Sequence, residues 1–249
     1  MGDFGPPTLM KLMLATPAYR GIQCLPFLDS LQASVELLLS RGVGCDFRMI
    51  AHNPYVQTAR NALAQQFLQS DCDKLLFLDD DLSWDDPEDV WRLLQADKPF
   101  AAGVYSMKSD VANYPCVLKC SEDGRALTDG PYLLATRAAT GFMMVDRSVF
   151  EAIREAFPRL AYMEMSNVDG APMEEFFDFF PQGVHNHRWI GEDYAFCSMW
   201  EQLGGVIYIL PDMTFGHHGV DEKGEPHTWV GNLLHYLRRQ PGGSEYAQN

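Results

Sequence analysis

The stretch Lys74–Trp84, KLLFLDDDLSW, decides how this chain is read. Leu75, Leu76, Phe77 and Leu78 form an unbroken apolar run, the pattern of a strand buried on both faces of a parallel sheet. The run ends in three carboxylates, Asp79, Asp80 and Asp81. Ligands in open α/β sheets bind at the carboxyl ends of the strands, so acids placed there face the usual site. Three adjacent carboxylates repel one another unless donors or a cation neutralise them, and Mg²⁺ or Mn²⁺ carrying substrate phosphates is the common solution. In an extended chain Asp79 and Asp81 project to one side and Asp80 to the other. That spacing lets one of Asp79 and Asp81 take a metal and the other a neighbouring hydroxyl or water. A plainer alternative is an acidic turn that only caps the next helix. Asp85, Asp86, Pro87 and Glu88 weaken it, because they already supply a cap, a first-turn proline and acids matched to the helix dipole.

The rest of the chain is consistent with an enzyme-sized core. At 249 residues with 47% hydrophobic and 12% aromatic content, it can bury one α/β domain, and the second half is expected to be more irregular. Residues 1–8 are expected to be a loose leader, 9–240 one domain with a nucleotide-binding half (9–108) and an acceptor-side half (109–240), and 241–249 a flexible tail. The formal charge of −15 and a pI near 4.7 disfavour broad contact with a phosphate backbone or an anionic membrane. Six cysteines without a CxxC pair point to packed, reduced thiols and a cytoplasmic setting. Leu9–Ala15 is too short to span a bilayer and has no signal-peptide pattern, so it reads as the first core strand.

Outward from the acid-tipped run, the elements alternate. A strand over Met10–Ala15 leads into the loop TPAYRG, which offers backbone donors, a hydroxyl and an aromatic face, or else is an ordinary strand-to-helix connection. Helices are expected over Pro26–Ser40, closed by Gly42, and over Thr58–Gln69, with a strand over Phe47–Ile50 between them. Arg60 and Asn61, near the start of the second helix, suit a diphosphate or a base, or a solvated face. A helix over Pro87–Gln95 and a strand over Phe100–Tyr105 complete β-α-β-α-β-α-β, the signature of a parallel doubly wound sheet.

Beyond Tyr105 a hairpin is expected around Asp123-Gly124, then a strand over Ala138–Asp146 and a helix over Arg147–Phe157. The Phe-rich stretch Met173–Pro181 suits a core cluster or an acceptor pocket. Gly191–Gly204 opens a helix with two acids, Glu192 and Asp193, where capping alone explains one. A strand over Val206–Leu210 precedes FGHHG, in which His217 and His218 are expected on flexible backbone, and His227–Arg239 reads as a last helix.

In this order, ATPAYRG, the Asn53–Asn61 segment, LFLDDD, AGVYSMK, TGFMMV, GEDYAFC and GHHG resemble glycosyltransferases of the GT-A fold. The chain is most similar to the small family-2-like or Anp1-like enzymes common in bacteriophages and bacteria, over roughly residues 9–220. The resemblance implies a Rossmann-like, mostly parallel sheet with helices on both faces. It implies transfer of a sugar from a nucleoside-diphosphate sugar to an acceptor hydroxyl, with inversion, using Mn²⁺ or Mg²⁺. The nucleoside loop corresponds to Thr16, Pro17, Ala18 and Tyr19, with Arg60 facing the nucleotide. Asp79, Asp80 and Asp81 form the DxD region, with Asp81 the main metal ligand, Asp79 near ribose and metal, and His217 a further ligand. The acid Asp80 stands where a small or neutral residue is usual, which leaves open which two of the three acids reach the metal. The ED pair, Glu192 and Asp193, supplies the base, with Asp193 favoured. The acceptor is a glycan, a lipid-linked sugar, a protein or, in a phage setting within the host cytoplasm, a hydroxymethylated DNA base.

Other classes fit less well. A sugar-nucleotide pyrophosphorylase needs a Gly-rich, Arg-bearing first loop, which TPAYRG does not supply. A haloacid-dehalogenase-like phosphatase needs its acids on the first strand. A non-catalytic nucleotide-sugar binding module has no need of Glu192 and Asp193.

Overall fold

A computed structural model describes residues 10–22, 24–164, 174–185 and 187–240. The expected leader and tail, and Met173 of the Phe-rich stretch, lie outside them. Strand and helix alternate through the first half: β1 (Lys11–Ala18), α1 (Leu25–Ser40), β2 (Gly44–Ala51), α2 (Val56–Gln69), β3 (Lys74–Leu78), the short β4 (Leu82–Trp84), α3 (Glu88–Gln95) and β5 (Phe100–Gly103). Gly42 closes α1 at φ 78°, the left-handed conformation that glycine adopts without a Cβ clash. The second half follows with β6 (Cys116–Leu118), β7 (Thr128–Asp129), β8 (Tyr132–Ala138), β9 (Phe142–Asp146), α4 (Arg147–Ala156), β10 (Ala161–Glu164) and β11 (Glu174–Phe177). It ends with β12 (Gly183–His185), β13 (Arg188–Ile190), α5 (Glu192–Gln202), β14 (Ile207–Leu210), β15 (Thr214–Val220), β16 (Pro226–Asn232) and α6 (Leu233–Arg238).

The central sheet has nine strands in the order β2-β1-β3-β9-β5-β14-β8-β6, with β7 beside β8. The pairs β1/β2, β1/β3 and β5/β14 are parallel, whereas β9 and β8 run against their neighbours. The class is therefore α/β with a mostly parallel sheet, as expected. Alternation along the strands divides the core into two layers. Met13, Ala15, Leu75 and Phe77 pack with Leu63 and Phe67 of α2, Phe150 of α4 and Phe196 of α5, while Leu12, Leu14, Leu76 and Leu78 pack with Phe27 and Leu31 of α1 and Leu93 of α3. Helices thus cover both faces. The Phe-rich stretch joins the core, since Phe177, Phe179 and Phe180 are buried.

A second sheet, β16-β15-β4, is antiparallel and begins directly after the acid turn. It docks through an aromatic chain, with Trp84 5.1 Å from Phe142 and Phe142 4.9 Å from Phe215, ring centre to ring centre. Close approach there needs Gly103, where an added Cβ would lie 2.5 Å from Phe215 Cζ.

Four expectations are corrected. His217 and His218 lie in β15, paired on both sides, rather than on a flexible turn, because β4 and β16 satisfy its backbone groups. The expected last helix over His227–Arg239 is β16 followed by the short α6. β1 runs through Thr16, Pro17 and Ala18, so the loop starts at Tyr19. The expected strand over Ala138–Asp146 is divided, with Ala138 ending β8 and β9 beginning only at Phe142.

Candidate active site

β3 ends at Leu78, and the acids after it turn rather than stay extended: the Leu82 N–H donates to the Asp79 carbonyl at 3.2 Å. Asp79 and Asp81 consequently enter different surroundings instead of sharing one side. Asp79 continues the alternation of Leu75 and Phe77 and faces α2 and α5. There the Arg60 guanidinium donates to Asp79 Oδ1 at 2.9 Å and to Glu192 Oε1 at 2.5 Å. The Arg60 side chain is only 5% exposed, and its Nε has no hydrogen-bond partner. Burial opposes its charge, but the two carboxylates outweigh that and raise its pKa above the ordinary arginine value. Arg60 is therefore an internal brace between the acid turn and the ED pair. Asn61 is likewise internal, donating to Asp178 Oδ1 at 2.8 Å and accepting from the Phe180 N–H at 3.1 Å.

Tyr105 closes this inner group. Its hydroxyl lies 3.5 Å from Asp79 Oδ2, and burial followed by the neighbouring Asp79 charge keeps it protonated well above the usual tyrosine range. The fit depends on Gly141, where a Cβ would come within 2.6 Å of both groups.

Asp81 lies in the outer group. Lys108 Nζ donates to its Oδ2 at 2.5 Å, and His217 Nε2 is 3.6 Å from the same oxygen. Burial alone would raise the Asp81 pKa, but His217 and Lys108 outweigh it and bring it to about 2. His217 Nδ1 lies 2.8 Å from the Ser106 carbonyl, to which it donates. With Nδ1 committed to that carbonyl, Nε2 is the ring nitrogen that faces the carboxylate, the orientation of a metal-binding imidazole backed by a carbonyl. Such a pair calls for a cation, and Lys108 supplies one. Among the described residues no three His, Cys, Asp or Glu side chains form a closed metal cage. An open Asp81/His217 pair nonetheless fits a hard divalent cation whose remaining positions are filled by water and phosphate oxygens. His218 turns elsewhere, with Nε2 2.8 Å from Ser83 Oγ and Nδ1 2.9 Å from Thr228 Oγ1, and burial lowers its pKa.

Beside the outer group is a cleft of about 650 Å³, lined by Tyr19, Arg20, Asp80, Asp81, His218 and Gly219, among others. Asp80 is half buried there, and desolvation followed by its two acidic neighbours raises its pKa to about 6. Of the expected nucleoside contacts, Tyr19 is 57% exposed at the cleft, while Thr16 and Ala18 are buried in β1 and Pro17 is partly buried. Lys108, Arg20 and Tyr105 are site residues without a clear sequence signal. Lys108 and Tyr105 stand in AGVYSMK, and Arg20 in ATPAYRG, but neither stretch says what they touch.

The two acids of α5 differ. Glu192 is tied to Arg60, whereas Asp193 Oδ1 accepts the Tyr194 N–H at 2.7 Å. Burial, with Glu192 next door, raises the Asp193 pKa to about 6. A partly buried carboxylate with that affinity is suited to take a proton near neutral pH.

No family model and no curated protein matches the chain. Among solved structures, A197 from STIV superposes with a TM-score of 0.51 at 16% identity, over 90% of this chain and 96% of that one. That likeness concerns the fold. CMP:2-keto-3-deoxy-manno-octonic acid synthetase complexed with CTP gives 0.38 at 16% identity, over 80% and 89% of the two chains. A glycosyltransferase involved in the glycosylation of the major capsid of PBCV-1 gives 0.34 at 8%, over 59% and 66%.

Proposed function

We propose that the chain is a glycosyltransferase that uses Mn²⁺ or Mg²⁺ to move a sugar from a nucleoside-diphosphate donor to an acceptor hydroxyl, with inversion. One observation carries this reading. The carboxyl end of β3 joins an open cation-seeking pair, Asp81 and His217, to a separate poised carboxylate, Asp193, through the brace Asp79–Arg60–Glu192. Metal-dependent transfer with inversion uses both kinds of acid, one for the cation on the leaving diphosphate and one for the attacking hydroxyl. A non-catalytic binding module has no use for the second. The plan also agrees with the ordered motifs that resemble GT-A enzymes.

Asp81 and His217 would hold the divalent cation, whose chemistry there would be Lewis-acid stabilisation of the charge on the leaving diphosphate. Lys108, on the same side, adds an ammonium to that anion. Tyr19 and Arg20 offer the nucleoside a ring face and a cation. Arg60 ties Asp79 and Glu192 together, so of the two acids that open α5 it is Asp193 that is left to meet the acceptor hydroxyl. Asp193 takes that proton as the hydroxyl oxygen attacks the anomeric carbon and the bond to the diphosphate breaks.

The test is calorimetry of UDP and GDP with and without Mn²⁺, followed by a nucleotide-sugar panel scored for donor hydrolysis. Binding should require the cation and disappear in Asp81→Ala. Equal affinity in EDTA would exclude the metal-dependent reading.

A further inference from the structure

The segment that puts Lys108 on Asp81 also walls a second cleft of about 310 Å³, lined by Ser106, Ser109, Asp110, Tyr114, His227 and Trp229, among others. Trp229 is the cross-strand partner of His217 in the β15/β16 pair. Directly opposed residues share one side of a sheet, so Trp229 and His217 project from the same face. The half-buried ring is fixed from two sides: its N–H donates to Asp110 Oδ1 at 3.3 Å, and the His227 ring packs edge-on at 4.6 Å. The Ser106 carbonyl receives His217, and the Ser106 hydroxyl reaches the Trp229 carbonyl at 3.3 Å. Among the described residues no lysine or arginine lines the cleft.

A fixed indole, a carboxylate with acceptor capacity to spare and several hydroxyls match the chemistry of a sugar ring. A pyranose has an apolar C–H face for the indole and a rim of hydroxyls for Asp110, Ser109 and Tyr114. The volume lies at the lower end of small-ligand sites. A carboxylate without a cation repels phosphate, which disfavours a nucleic-acid acceptor at this place.

We propose that this cleft seats a neutral saccharide that forms part of the acceptor. The proposal rests on the transferase reading for the word acceptor, but not for the saccharide. The experiment is saturation-transfer NMR and calorimetry of the folded protein with methyl glycosides of glucose, galactose and mannose and with their β-linked disaccharides. UDP and GDP with Mn²⁺ are titrated in parallel. At least one saccharide should bind in the millimolar range. Trp229→Ala should weaken it at least about tenfold and Asp110→Asn about threefold, with nucleotide affinity changed less than about twofold. If Trp229→Ala melts early, Trp229→Phe keeps a ring, removes the N–H and should give an intermediate loss. Saccharide binding that survives all three variants, or none by folded wild type, overturns the proposal. If Trp229→Ala weakens only nucleotide sugars, the cleft holds the donor's sugar and the acceptor assignment is overturned. Trp229-dependent saccharide binding without any nucleotide binding supports the cleft and removes the transferase reading instead.

Discussion

Lys108 Nζ lies 2.5 Å from Asp81 Oδ2, on the carboxylate that His217 also approaches. The lysine is cradled by Gly219, where a Cβ would lie 3.0 Å from its Cδ, so the ammonium can rest beside β15. The protein thereby carries its own cation at the place where a divalent ion is proposed to bind, and the two compete.

Removing that competitor should show directly. Lys108→Met is expected to tighten Mn²⁺ binding to the ligand-free protein by about three- to fivefold, the scale of a half-exposed ion pair worth up to about 1 kcal/mol. Titration followed by electron paramagnetic resonance reads the free ion. Unchanged or weaker Mn²⁺ binding would show that Lys108 does not occupy the same place.

Arg60 holds two carboxylates in a buried position, and its loss leaves both without a counter-charge. Arg60→Met should destabilise the fold by about 3–5 kcal/mol, as breaking a buried pair does. Arg60→Lys should recover only part of this, because one ammonium cannot reproduce the planar fork that reaches both acids. Urea unfolding of the three proteins tests the order, and equal midpoints would mean that the brace is not held in solution.

Asp193 gives two pH signatures. As base it must be ionised, so transfer should rise as pH increases through about 6 and then level off, and Asp193→Asn should lower it by roughly two to four orders of magnitude. Folding raises this carboxyl from 3.8 to about 6, so between those values the folded state binds more protons than the unfolded one and stability falls as pH rises. Above pH 6 Asp193→Asn should therefore be more stable than wild type by up to about 2 kcal/mol, with the difference vanishing below about pH 4. A variant equally stable at both ends would deny the raised pKa, and full activity would deny the base.

Gly141→Ala places a methyl group 2.6 Å from both Asp79 Oδ2 and the Tyr105 hydroxyl. Overpacking of this kind should cost about 1–3 kcal/mol, read as a lower urea midpoint. An unchanged midpoint would show that Asp79 and Tyr105 do not close on that glycine.

The sequence shows the sheet most clearly where burial is two-sided. LLFL has no other good reading than a central strand, and GEDYAFC places its acids at a helix start because the apolar positions behind them repeat at helical spacing. The site was harder to read where long-range pairing decides. FGHHG has the local composition of a turn, and its strand state comes from pairing on both sides, with β16 across a short hairpin and with β4, which is distant in sequence. Arg60 did leave a signal: with Leu63, Ala64 and Phe67 it follows the i, i+3, i+4, i+7 stripe, so it lies on the buried face of α2. A charged side chain on that stripe implies buried acids as partners. Nothing comparable marks Trp229 or Lys108, whose placement follows from loop closure across the ends of the sheet.

The reversed strand β9 sits between β3 and β5, which make no pairing with each other. A chain emerging from the ribosome has synthesised β1 to β5 long before residue 146 appears, and until then the edges of β3 and β5 that flank the gap are open. Even afterwards the other edge of β5 waits for β14. Assembly is therefore a late, cooperative event dominated by distant pairings, slow by topology and exposed to aggregation while those edges are bare. Cutting the chain between its halves should yield two pieces that are insoluble apart and recover structure only when mixed.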